Sequence, residues 1–207
     1  METLKIAFLL IIAFMISPGL KSQDKMGQTE SAFEKSYALQ DKQDYTNAIT
    51  ILKSVYDENS YEVNLRLGWL NYLGGMFTES ASYYQKAMKL KPYAIEAKFG
   101  YVYPEAAIGN WDQVMTQYQD ILSIDPQNTL ANYRLGSIYY GRKEYAKAEK
   151  SLEKVVNLYP FDYDSNILFA WTEYFLGKTR ESQVLFHKGL LIKPKDSSAM
   201  EGLSMIK

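Results

Sequence analysis

ANYRLGSIYY, residues 131–140, repeats in outline a stretch 68 residues earlier, VNLRLGWLNY at residues 63–72. Both have Asn, then Arg-Leu-Gly, then a closing Tyr at the same offsets. Such an echo asks for a period, and the prolines supply it: Pro92, Pro126, Pro160 and Pro194 stand 34 residues apart. The segments that end in them, YYQKAMKLKP, YQDILSIDP, LEKVVNLYP and FHKGLLIKP, carry apolar residues at helical spacing, as in Leu152, Val155, Val156 and Tyr159. Each proline ends its helix, because its ring drives the preceding residue out of the α region. A second helical pattern precedes each segment, set off by turn signals at Gly74-Gly75, Gly109-Asn110, Gly141-Arg142-Lys143 and Gly177-Lys178. Every period therefore reads as a helical hairpin, and the chain as all-α.

A 34-residue helix-turn-helix period of this kind resembles the tetratricopeptide repeat. The copy at 129–162 carries the resemblance best, through Leu135-Gly136 and Tyr139, then Tyr145, Ala148, Val155 and Pro160. Small residues at Gly136 and Ala148 let two helices approach, while large residues fill the space between successive hairpins. The same register gives copies at 29–60, 61–94, 95–128 and 163–196, with a terminal capping helix at 197–207 entered through a cap at Asp196. The resemblance implies a superhelical solenoid of about five stacked hairpins. The copy at 95–128 departs from the pattern, with Val102 where a glycine is expected and Pro104 inside the first helix. An interior proline removes one helical hydrogen bond and crowds a carbonyl, so a bend or break is expected between Gly100 and Pro104.

The N-terminus reads differently. Lys5 precedes the apolar run IAFLLIIAFMI at residues 6–16, after which Ser17-Pro18-Gly19 interrupts. Eleven apolar residues are too few to span a bilayer, for which a helix needs about 20. A signal peptide at 1–22, cleaved after Ser22, fits this pattern. It would be followed by a short polar linker at 23–28. The alternative is an uncleaved N-terminal anchor holding the chain at the membrane and facing the periplasm. Export places the mature chain in the periplasm or outside the cell, without an integral membrane span.

Composition narrows the chemistry. With 23 Lys+Arg against 24 Asp+Glu the net charge is −1, too balanced for a general attraction to nucleic acid. The absence of cysteine excludes disulfides, thiolate metal sites and cysteine nucleophiles. His187 is the only histidine and has no ligand-spaced partner, while Glu144 and Glu149 sit among lysines on a surface that reads as solvated. No Gly-rich phosphate loop follows a strand. No metal, cofactor or catalytic residue is implied, and the chain reads as no enzyme.

In the resembling family the concave groove is lined mainly by the second, fifth, ninth, twelfth and thirteenth residues of each repeat. Carried over, the first copy supplies Phe33 and Tyr37, and the second Glu62, Trp69 and Tyr72. The third supplies Glu96, Phe99 and Tyr103, the fourth Tyr133 and Tyr140, and the fifth Asp164, Trp171, Tyr174 and Phe175. Across all 25 such positions eleven residues are aromatic, five acidic and none basic. A peptide's terminal carboxylate would find no cation at these positions. Tyr and Trp instead give large contact areas at low entropic cost. The expectation is a protein-binding scaffold of the cell envelope that holds a polypeptide segment, apolar and with basic residues suited to the acidic rim. The alternative is a carbohydrate or other ring-bearing ligand stacked on Trp69 and Trp171.

Overall fold

The computed structural model describes residues 18–206, which form eleven α-helices and no strand among the described residues. The chain divides into two compact units, one ending at Lys91 and the other beginning at Pro92. The first unit holds α1 (Pro18–Asp41), α2 (Tyr45–Ser54), α3 (Tyr61–Leu73) and α4 (Phe77–Leu90). The second holds α5 (Ile95–Ala107), α6 (Trp111–Ile124), α7 (Thr129–Gly141), α8 (Tyr145–Leu158), α9 (Tyr163–Phe175), α10 (Thr179–Ile192) and α11 (Ser197–Met205). Within each unit, helices adjacent in sequence pack as antiparallel hairpins.

Local chemistry sets the helix ends. α4, α6, α8 and α10 each stop two residues short of a proline, at Leu90, Ile124, Leu158 and Ile192. The helices that follow at Thr129, Tyr163 and Ser197 are capped by Asn128, Asp162 and Asp196, whose side chains accept from Ala131 N, Ser165 N and Ala199 N. Buried Asn132 and Asn166 hold the preceding turns: each donates Nδ2 to two backbone carbonyls, of Pro126 and Asn128 in one case and of Pro160 and Asp162 in the other. Asn64 does the same to Glu58 and Ser60. The intra-hairpin turns need a left-handed residue, supplied by Gly75, Gly109 and Gly177. In the fourth copy Gly141 closes α7, and Lys143 takes the positive φ of 62°.

In four of the five hairpins a large buried side chain stands sixteen residues after a small buried one, and in the third hairpin the earlier residue is valine. The pairs are Ser36 and Leu52, Gly68 and Tyr84, Val102 and Tyr118, Gly136 and Leu152, Ala170 and Phe186, all ten of them buried. A Cβ added at Gly68 would lie 2.9 Å from the Tyr84 ring, and one at Gly136 2.8 Å from Leu152 Cγ. Val102 cannot permit such an approach, and α5 and α6 accordingly meet less intimately along their length than α7 and α8. The core of the first unit gathers Ala48, Ile49, Leu52, Val63, Leu67 and Leu70. In the second, one cluster centres on Ile121, Leu135 and Leu152, and another on Ile167, Ala170, Phe186 and Ala199.

Two expectations need correction. α5 runs unbroken from Ile95 to Ala107 with Pro104 inside it, so no break occurs. Pro104 lies in the last turn, where only three helical residues follow, so the one hydrogen bond it forgoes does not end the helix. Pro104→Ala, which restores the amide donor, is expected to stabilise the protein by about 1–3 kcal/mol in denaturant unfolding. Residues 23–28 are also helical, being part of α1, because that stretch holds no proline and several helix formers. The apolar run at 6–16 lies outside the described residues, as does most of the 1–22 segment read as a signal peptide. No helix among the described residues is long and apolar enough to cross a membrane.

Candidate functional site

The residues marked out as groove-lining lie on the first helices of the hairpins, and each unit presents its own set. In the first unit α1 and α3 carry them. Tyr37 is 51% exposed, with Phe33 half-buried one turn before it. Beneath Tyr37 lies a residue that the positional reading passed over: Arg66 of α3, only 7% exposed, places its guanidinium carbon 3.8 Å from the Tyr37 ring centroid. Its Nε donates to Ser36 Oγ at 3.1 Å and its Nη1 to Gln40 Oε1 at 2.7 Å, tying α3 to α1. Burial, the largest influence, pulls the pKa of Arg66 down. The only sequence signal was a cation in the otherwise apolar RLG stretch.

The acid at the start of α3 is spoken for as well. Glu62 accepts from Lys91 Nζ at 3.0 Å, and this bond is the main reason its carboxyl sits below the usual range. The same Nζ lies 4.3 Å from the Tyr61 ring centroid. Lys91 and Arg66 thus bring positive charge to a face whose lining positions in this unit carry none. Farther along α3, Trp69 and Tyr72 meet at 5.6 Å between centroids, and Tyr72 touches Phe77 of α4.

In the second unit the set divides by role. Phe99 packs edge-on against Tyr118 within its own hairpin, whereas Tyr103 is 49% exposed and Glu96 is exposed. Tyr133 and Asp164 line one cavity of about 320 Å³, together with Leu130, Val155, Tyr159 and the capping Asp162. Burial first, then Asp164 and Asp162, raises the Tyr133 hydroxyl's pKa, so it remains a neutral donor facing two carboxylates.

Tyr140, Trp171, Tyr174 and Phe175 come together as one aromatic surface. Phe175, 46% exposed, stacks on Tyr145 at 4.9 Å and 12° and on Trp171 at 6.1 Å, with Tyr140 and Tyr174 at its edges. Trp171 also belongs to the core: it meets Phe186 edge-on at 5.0 Å and donates Nε1 to Ser198 Oγ of α11 at 2.8 Å. His187 is exposed on α10. Among the described residues no group of three or more His, Asp or Glu is placed to hold a metal ion.

Residues 33–95 and 129–162 match models of the tetratricopeptide repeat. No curated protein matches the chain. Among solved structures, a tetratricopeptide repeat protein from Parabacteroides merdae is 22% identical at a TM-score of 0.73, with 87% of this chain and 72% of that one covered. MamA is 22% identical at 0.70, covering 81% and 93%. YrrB, described as a tetratricopeptide repeat protein with an unusual peptide-binding site, is 12% identical at 0.69, covering 91% and 98%. At these identities the likeness is one of fold. The chain carries tetratricopeptide repeats, and its described residues have the paired-helix, all-α fold of proteins built from them.

Proposed function

We propose that this protein is a non-enzymatic scaffold of the cell envelope that binds a polypeptide segment on the first-helix face of its hairpins. The observation that carries the reading is the surface formed by Tyr140, Trp171, Tyr174 and Phe175, with Phe175 46% exposed at its centre. Rings held by one another are rigid anchors that lose little entropy on binding. The cavity at the start of the same helices α7 and α9, with Leu130 and Tyr133 next to Asp162 and Asp164, suits an aliphatic side chain that ends in a cation. A polypeptide is favoured over a sugar because Trp171 is engaged by Phe175, Phe186 and Ser198, which leaves less open indole face for stacking.

Phe175→Ala is expected to weaken binding of a captured envelope partner, or of selected apolar-basic peptides, by tenfold or more. Its melting temperature should stay near that of the parent. Asp164→Asn should weaken binding less, and reduce its dependence on salt. Unchanged affinity in both variants would remove the proposed role of this face. The apolar run at 6–16 supports export with removal of residues 1–22. The intact mass of the protein from cells should show that loss, and full-length chain in the cytosol would overturn it.

A further inference from the structure

The second helices carry a cleft that has no part in the aromatic face. It measures about 510 Å³ and lies between α8 and α10, over α9. Its charged lining is Glu149 and Glu153 from α8, Glu173 from α9, Lys178 from the following turn, and Arg180 and Glu181 from α10. Four carboxyl groups thus face two cations. Phe169, Val184 and Leu185 give it apolar walls, with Val184 66% exposed.

Glu173 is the unusual member. It is 2% exposed, and its Oε1 has no hydrogen-bond donor among the described residues. Lys178 bonds Glu149 and lies 3.6 Å from the other oxygen of Glu173, so it leaves Oε1 unserved. A buried carboxyl oxygen without a donor is costly. That cost disfavours the charged form, and burial first, then the neighbouring Glu149, pushes the Glu173 pKa up to about 6, so the carboxyl takes up a proton in mildly acid solution. The carboxyl groups of the cleft outnumber its cations, and Glu173 Oε1 is left without an N–H donor among the described residues, a place that a further cation on an aliphatic stem could fill. The apolar walls would cover the stem, and the acidic mouth would attract the charge.

We propose that this cleft is a second binding site, taking an alkyl-guanidinium or alkyl-ammonium group with Glu173 and Glu149 as its acceptors. The group could be supplied by an arginine or lysine side chain of a bound polypeptide or by a free amine. The site is independent of the aromatic face, so either can fail alone.

Titration of the full chain with agmatine, and separately with acetyl-Leu-Arg-Leu-amide, tests it by NMR of carboxyl-labelled protein. Both probes should bind about tenfold more tightly at pH 7 than at pH 5, because the cation needs Glu173 ionised. In Glu173→Gln that pH dependence should vanish, and affinity at pH 7 should fall about tenfold. Glu153→Gln, on the exposed wall, should weaken binding about two- to threefold and keeps the test sound if the buried variant folds poorly. Tighter binding of the peptide assigns the group to a polypeptide side chain, and equal binding assigns it to a free amine. Absence of binding by both probes at tens of millimolar, or pH-independent binding that Glu173→Gln leaves intact, would overturn the proposal.

Discussion

Phe186→Ala is expected to destabilise the second unit by about 3–5 kcal/mol, the range for truncating a fully buried aromatic ring. Phe186 is 0% exposed and packs with Ile167, Ala170 and Ala199. Its ring supports Trp171 from below and is approached from the other side by Gly202 of α11, where an added Cβ would lie 2.2 Å away. The cavity left by alanine could close only by moving α9 or α11. At nine residues α11 is too short to persist without packing, so it should lose protection from amide hydrogen exchange before any other helix of the unit. Gly202→Ala drives a methyl into the same ring and should cost about 1–3 kcal/mol. Combined with Phe186→Ala, the methyl enters the vacated space, and the pair should cost less than the sum of the singles. Denaturant unfolding gives the energies; a near-parental stability for Phe186→Ala would contradict this account of the core.

Leu152→Ala is expected to cost about 2–5 kcal/mol in the same measurement. Leu152 is fully buried in the cluster with Leu135, Tyr139 and Ala148, and its Cγ stands against the bare backbone of Gly136. The complementary change, Gly136→Val, places branched carbons within contact of Leu152 and Ser151 and should cost about 1–3 kcal/mol, after a few tenths returned by helix propensity. Together the two exchanges trade volume across the hairpin. The double variant should therefore be more stable than additivity predicts. Strict additivity would show that the approach of α7 to α8 does not depend on that glycine. The third hairpin carries only the valine half of that exchange, with Val102 opposite the still larger Tyr118, and its helices meet less closely.

The sequence determined what depends on neighbours along the chain. The 34-residue spacing of four prolines marks where α4, α6, α8 and α10 stop, since a proline restricts the residue before it whatever surrounds it. Helix starts at Tyr61, Ile95, Thr129, Tyr163 and Ser197 keep the same spacing. The capping role of Asp196 and the small residues facing large ones recur at fixed offsets for the same reason. Even the local reading had limits. Gly141 was the visible turn residue of the fourth copy, yet the left-handed position falls on Lys143, because the length of α7 sets which residue must turn. Pro104 stayed within α5 because its place in the final turn left few helical residues to displace.

Tertiary structure alone decided which side chains of the candidate sites stand free. Arg66 reaches Gln40 and Ser36 across separations of 26 and 30 residues, Trp171 reaches Ser198 across 27, and Lys178 reaches Glu149 across 29. Each contact joins one hairpin to the next, or the last hairpin to the terminal helix α11. A repeat period names the positions that recur, but the partner a long polar side chain finds depends on how neighbouring hairpins seat against each other. That seating is set by the summed packing of many apolar residues. Trp171 and Phe175 therefore looked alike as groove aromatics, and stacking made one a core residue with an edge to solvent and the other an exposed ring. Glu173 could not be distinguished in the sequence from the solvated glutamates of the chain, because its burial and its missing donor arise only where α8, α9 and α10 meet.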